Sequence, residues 1–153
     1  LARYDNKEVA FEVPQGWEDK SVITFEAPRA PGRPFSPNVT LMRVPLAVPH
    51  GQPLATFATQ QVASLAQSLP GFELVEQRND VRVGGVPAVQ IVYHWKHPDG
   101  ALTQRVTMFL RDATLWSFAA TAVRGDLEQT APLFDRILAS FQIAPVTGAP
   151  RRA

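Results

Sequence analysis

Apolar and polar side chains alternate residue by residue along most of this chain, the period of a strand with two distinct faces. The runs fall at about 9–14, 21–27, 38–46, 72–83, 86–96, 102–111 and 114–123. Short turn signals separate the later ones: Gly84-Gly85, Pro98-Asp99-Gly100 and Arg111-Asp112. Turns this tight join antiparallel neighbours, so the last four strands are predicted to form a meander. Two stretches carry helical spacing instead. From Pro53 to Leu69 the stripe is Phe57, Ala58, Val62, Leu65 and Leu69, and Pro53 suits a first turn. From about Asp126 to Phe141 it is Leu127, Phe134, Ile137, Leu138 and Phe141. Asp126 and Gln129 have the spacing of a capping box, but Pro132 removes an interior hydrogen bond. The regular part of this helix is therefore predicted to begin near Thr130.

Period two sorts each strand into two sets. One is large and apolar: Ile23 and Phe25; Met42, Val44 and Leu46; Leu102, Val106, Met108 and Leu110 with Gln104 among them; Trp116 and Phe118. It is the predicted floor for both helices. The fold class that follows is α+β, an antiparallel sheet of about six or seven strands with two helices packed on one face. The alternate set, with Val22, Thr24 and Glu26; Val39, Leu41 and Arg43; Thr103, Arg105, Thr107 and Phe109; and Ser117, Ala119 and Thr121, is mainly small, β-branched or hydroxylic, with few charges. It is neither an ordinary wet face nor a core. Such a surface can accept another element closely and still offer hydrogen bonds.

Composition removes several functions. The chain has 153 residues, 45% hydrophobic and 19% charged, which is enough for one globular domain with a sizeable core. Fifteen basic and fourteen acidic residues are scattered and leave a formal net charge of +1, so there is no electrostatic footprint for nucleic acid or an anionic membrane. Cysteine is absent, which excludes disulfides, thiolate zinc sites and cysteine nucleophiles. No apolar stretch reaches the roughly 20 residues of a membrane span, and "LARYDNKEVAF" has charges where a secretory signal is apolar. There is no nucleophile elbow, phosphate loop or paired-histidine zinc motif. His94 and His97 are three apart on one predicted strand and so point to opposite faces, which makes a shared metal a poor reading. The tryptophans Trp17, Trp95 and Trp116 are read as packing residues, and Glu73, Glu76 and Asp80 as a solvated strand. The Pro-rich stretch 27–37 is a predicted loop and 144–153 a flexible tail.

Four stretches, "VPQGWEDKSVITFEAP", "QQVASLAQSLPGFELVE", "VGGVPAVQIVYHW" and "LFDRILASF", occur in an order that resembles the DcrB-related family, in particular its effector-associated (Eag) chaperones of bacterial type VI secretion. The resemblance runs from about Phe11 to Phe141. It implies one domain over 1–143 with a PsbP-like sandwich fold. It also implies a cytoplasmic homodimer, without cofactor or catalysis, that shields the apolar N-terminal transmembrane helices of an effector without itself inserting in a membrane. The client-contacting positions it implies are Val22, Thr24, Val39, Gln61 and Leu69, with Thr107 at a polar position of the penultimate strand. For Gln61 a plainer reading is an amide satisfied within its own fold. Two other classes remain open from the residues alone: a periplasmic DcrB-like envelope lipoprotein or binding domain, and a small-molecule hydrolase or binding enzyme.

Overall fold

A computed structural model describes residues 2–45 and 53–143. In chain order these form β1 (Ala2–Asp5), β2 (Ala10–Val13), β3 (Ile23–Glu26), β4 (Asn38–Pro45), α1 (Leu54–Ser68), β5 (Glu73–Val83), β6 (Val86–His97), β7 (Gly100–Arg111), β8 (Thr114–Val123) and α2 (Leu127–Ala139). Six strands make one antiparallel sheet in the order β3-β4-β8-β7-β6-β5. The expected meander is its four strands β5 to β8. β1 and β2 pair only with each other, so the strand expected at 9–14 lies outside the main sheet, and its partner β1 was not legible in the periodicity. Leu46 and the tail 144–153 lie outside the described residues.

The class and the sheet are as expected, but the helices do not share a face. Ala58, Val62, Leu65 and Leu69 of the first helical segment pack on Val89, Ile91, Tyr93, Val106, Met108 and Ala119. Phe134, Ile137 and Leu138 of α2 pack on Phe118, Ala120 and Ala122, with Val39 and Leu41 beside them. Ala119 points one way from β8 and its neighbours Phe118 and Ala120 the other, so α1 and α2 cover opposite faces. The cause is visible in β6, where Ala88 to Tyr93 is an unbroken buried run. A strand apolar on both sides needs cover on both sides. Ile23 and Phe25, sorted with Met42 and Val44 from the sequence, belong to the α2 face, while Met42 and Val44 belong to the α1 face. Trp116 and Phe118 likewise lie opposite Leu102 and Val106.

The second helix also starts earlier than its proline suggests. α2 runs from Leu127 with Pro132 inside it. Asp126 makes no side-chain cap; its carboxylate is engaged by Arg33 from the Pro-rich loop, and Thr130 Oγ1 donates to the Asp126 carbonyl at 2.9 Å instead. The first turn is thus anchored by a long-range ion pair where a capping box was expected.

The β7–β8 turn places Asp112 at φ 49° and Ala113 at φ 58°. Two left-handed residues suit the twist of a hairpin, but alanine has a Cβ that disfavours this conformation. Ala113→Gly is expected to stabilise the protein by up to about 1 kcal/mol, read as a higher urea midpoint with an unchanged slope. A lower midpoint would mean that the turn is not under this strain.

Candidate functional site

α1 packs over β5, β6 and β7 and leaves the β4 and β3 side of its face uncovered, with β8 half-covered between β7 and β4: Ala119 and Thr121 are buried, Leu115 and Ser117 partly so. Cross-strand register defines that strip. Thr24 faces Thr40 and Thr40 faces Ala119, while Met42 faces Ser117 and Val44 faces Leu115. Met42 is 41% and Val44 49% exposed, unusual for large apolar side chains in mid-strand. The Thr24 and Thr40 hydroxyls are 3.2 Å apart and exposed. None of these seven residues carries a charge. Nor does any residue of α1, "LATFATQQVASLAQS", although much of that helix faces solvent. Protein surfaces usually carry a quarter or more charged residues, so an uncharged helix beside a strip with one charge, Glu26 at its end, sets this face apart.

A polar line crosses the same face where α1 ends. Tyr93, Gln104 and Thr121 are neighbours across β6, β7 and β8. The Tyr93 hydroxyl donates to Gln104 Oε1 at 2.5 Å, and Gln104 Nε2 donates to Thr121 Oγ1 at 3.1 Å. Burial pushes the Tyr93 hydroxyl up to about 12, so it stays a neutral donor and fixes which end of the Gln104 amide points each way. The strip is thus a partly apolar floor with hydroxyls along its outer strand and an oriented amide at one end.

The six residues implied by the resemblance divide between the two faces. Thr24 is exposed on the strip, and Val22, 54% exposed, immediately precedes β3. Gln61 is exposed on α1 between Phe57 and Leu65, and its amide has no hydrogen-bond partner among the described residues. No described residue satisfies the amide, which faces solvent. Leu69 caps α1, its amide bonded to the Leu65 carbonyl at 2.9 Å, and its side chain packs into the α1 core. Val39 is on the other face, beside Phe25 and Ala120. Thr107 is also on that face, fully buried, accepting a 3.0 Å hydrogen bond from Gln90 Nε2. It is closed to any partner.

Gln104, three residues earlier, is the polar residue of β7 on the α1 face, and the sequence reading passed over it. An odd step along a strand changes face, so the two positions are exclusive alternatives. The signal available was an amide amid the apolar set Leu102, Val106 and Met108. Elsewhere, His94 and His97 do lie on opposite faces. His94 Nδ1 is 2.7 Å from Thr103 Oγ1, and burial together with nearby Arg124 holds its imidazole below the usual value. His97 sits edge-on to Trp95. Trp17 is 69% exposed and does not pack as expected, whereas Trp116 stacks on Phe109 with Arg43 over its ring.

Comparison with known proteins accords with this geometry. The model of the DcrB family matches residues 8–140. The chain belongs to the DcrB family. Within it, the protein is 25% identical over 145 residues to the effector EagT6 of Pseudomonas aeruginosa, covering 95% of this chain and 98% of that one. A crystal structure of PA94, a protein of unknown function from the same species, superposes with a TM-score of 0.78 at 22% identity, over 95% of this chain and 98% of its own. Cyanobacterial PsbP from Synechocystis gives 0.53 at 15% identity, over 94% and 92%, and LpqN of Mycobacterium tuberculosis 0.52 at 14%, over 86% and 88%. This DcrB-family chain has a PsbP-like fold.

The division of faces is open to a direct check. Thr24→Arg adds a cation to an exposed site and is expected to keep the parental melting temperature. Thr107→Arg buries an unpaired guanidinium against Gln90 and is expected to cost several kcal/mol, about 3–5 by comparison with broken buried pairs. Thermal melts of the two variants decide it, and equal losses would contradict the assignment of Thr24.

Proposed function

We propose that this DcrB-family protein is a type VI secretion effector chaperone, which holds the apolar N-terminal transmembrane helices of a cognate effector in the cytoplasm until export. The observation that carries the reading is the half-covered strip of β8, β4 and β3, uncharged from Thr24 to Leu115 and with Glu26 at its end, beside a helix with no charged residue. The likeness to the protein named effector EagT6, together with the Eag-type motifs of this sequence, points to the class of partner. Physical chemistry supplies the rest. A membrane helix in water exposes apolar area at a cost of roughly 25 cal/mol per Å², and a site that covers it must be apolar and extended. Strand β4, eight residues long, spans roughly 26 Å at about 3.3 Å per residue, close to the ~30 Å of a membrane-spanning helix.

Selectivity would come from polar groups along that strip. Val22, Met42 and Val44 offer apolar contact, while Thr24, Gln61 and Gln104 offer hydrogen bonds to hydroxyl or backbone groups left open by small residues on a client helix. Val39 and Leu69 support the strip from the packed interior. Gln61 is the sharpest test, because its amide is exposed on the uncharged helix between Phe57 and Leu65 and has no hydrogen-bond partner among the described residues. Gln61→Leu is expected to leave thermal stability equal or slightly raised. Affinity for a client transmembrane peptide in mild detergent is expected to fall roughly five- to 150-fold, the cost of one buried unpaired polar group. Unchanged binding with a lower melting temperature would remove Gln61 from the site. Equal soluble yield of the effector's N-terminal segment with and without this protein would remove the chaperone reading itself.

The partner set proposed here includes a second copy of the chain. Strand β3 ends the sheet with one edge unpaired among the described residues, and on its other face Phe25 is 71% and Ile23 51% exposed. An edge strand with exposed apolar side chains is a ready template for pairing. Light scattering is expected to give twice the 16.8 kDa chain mass, and Phe25→Glu to halve it. A parental protein that elutes as a monomer at all concentrations would overturn this arrangement.

A further inference from the structure

On the α2 side of the sheet a cleft of about 520 Å³ opens between α2 and the β5 to β7 strands, inside the roughly 300–1,000 Å³ range of small-molecule sites. The helix contributes one seam, Leu127, Ala131, Asp135 and Leu138, spaced four, four and three apart. Val92 and Arg105, paired across β6 and β7, form the floor. Exposed Arg78 and Arg82 stand at the mouth. The lining is therefore mixed, with an apolar side that includes Val92, Leu127 and Leu138, a polar one of Glu76, Asp80 and Gln90, and a cation at the bottom.

Arg105 is poorly served where it lies. Its side chain is only 12% exposed, and a guanidinium keeps its charge at any ordinary pH. Nη1 meets Asp135 Oδ1 at 2.7 Å, but Nη2 is buried without a hydrogen-bond partner among the described residues. Its inner neighbour is the Phe134 ring, 6.0 Å from the guanidinium carbon, which attracts the cation without accepting a conventional hydrogen bond. Asp135 is 65% exposed, so it contacts Arg105 from the rim through one bond and keeps most of its hydration. At the mouth, Arg78 is flanked by Glu76 and Asp80, whereas Arg82 donates to the Gly85 carbonyl and has no carboxylate partner among the described residues. A buried arginine prefers a two-point carboxylate contact.

We propose that this cleft binds a small amphipathic carboxylic acid. Its carboxylate takes the place of Asp135 on Arg105 with two hydrogen bonds, after a small rotation that uncovers Nη2, and Asp135 turns out to solvent. The apolar body lies along Val92, Leu127 and Leu138. The site is on the face opposite the strip proposed for client helices, so the two readings stand or fall separately.

Octanoate is the probe, with 1-octanol as the uncharged control, titrated into isotopically labelled full chain and followed by amide chemical shifts. Shifts clustered at Gln90, Val92, Arg105 and Leu127 to Leu138, saturating near about 1 mM and much weaker with octanol, are expected. Asp135→Asn removes the competing carboxylate and is expected to tighten octanoate binding several-fold. Arg105→Lys keeps the charge but loses the planar fork, and is expected to weaken it roughly tenfold. If Arg105 and Asp135 only brace α2 against the sheet, both variants will melt lower and neither will change affinity in these directions. That result, or octanoate shifts confined to Thr24, Thr40 and Ser117, overturns the proposal. Should Arg105→Lys fail to fold, the direction of the Asp135→Asn change and the octanol comparison still decide it.

Discussion

A helix is about 10 Å across and strands in a sheet lie about 4.8 Å apart, so one helix covers two or three strands. This sheet has six, and its central strands are apolar on both sides. Two helices must therefore serve two faces, and each leaves part of its own face bare. α1 sits over β5, β6 and β7, half-covers β8 and bares β4 and β3; α2 sits over β8 and bares β5 and β6. Both uncovered regions follow from that one shortage of cover, and they lie at opposite ends of the sheet on opposite faces.

Their chemistry differs because their neighbours do. The strip beside α1 has hydroxyls, an amide and exposed aliphatic side chains, with no charge from Thr24 through Val44 to Leu115. When water is displaced by an apolar partner the Thr24 and Thr40 hydroxyls can bond each other, which leaves one of their protons and the Ser117 hydroxyl as the few polar groups that partner must meet. Water is easy to remove from such a surface. The cleft beside α2 has the opposite character, with Arg105, Asp135 and the Arg78 cluster, where any occupant must answer a charge.

The bare strip is also the loosest part of the sheet. β3 pairs through four residues with β4, and each of the four is exposed. The segment leading into it is tied by Asp19, which Arg43 engages from β4 while its guanidinium lies over Trp116. Asp19 also accepts from the Ser21 amide and hydroxyl, and these bonds hold its carboxyl below the usual range. Such exposed pairs contribute little stability. Their effect is to fix where β3 begins, and so which of its residues face the strip.

What one strand or helix knows about itself was legible in the chain. Alternation and turn residues marked β5 to β8 to within two residues, with β8 at the bounds expected, because each side chain answers first to its own backbone period and its nearest turn. The motifs that carry the family likeness were legible for the same reason, being local. Relations between elements were not. Period two cannot say whether Thr107 and Thr24 point the same way; the pairing register decides it, and it placed Gln104 on the α1 face and Thr107 beneath the other. Asp126 reads as a helix cap until Arg33, 93 residues away, claims its carboxylate. The stripes of both helices were correctly apolar, yet only the packed sheet, buried on both sides at β6, β7 and β8, required them to part. Sequence fixes periods; which faces meet is settled when strands pair and bury one another, because that is when water leaves.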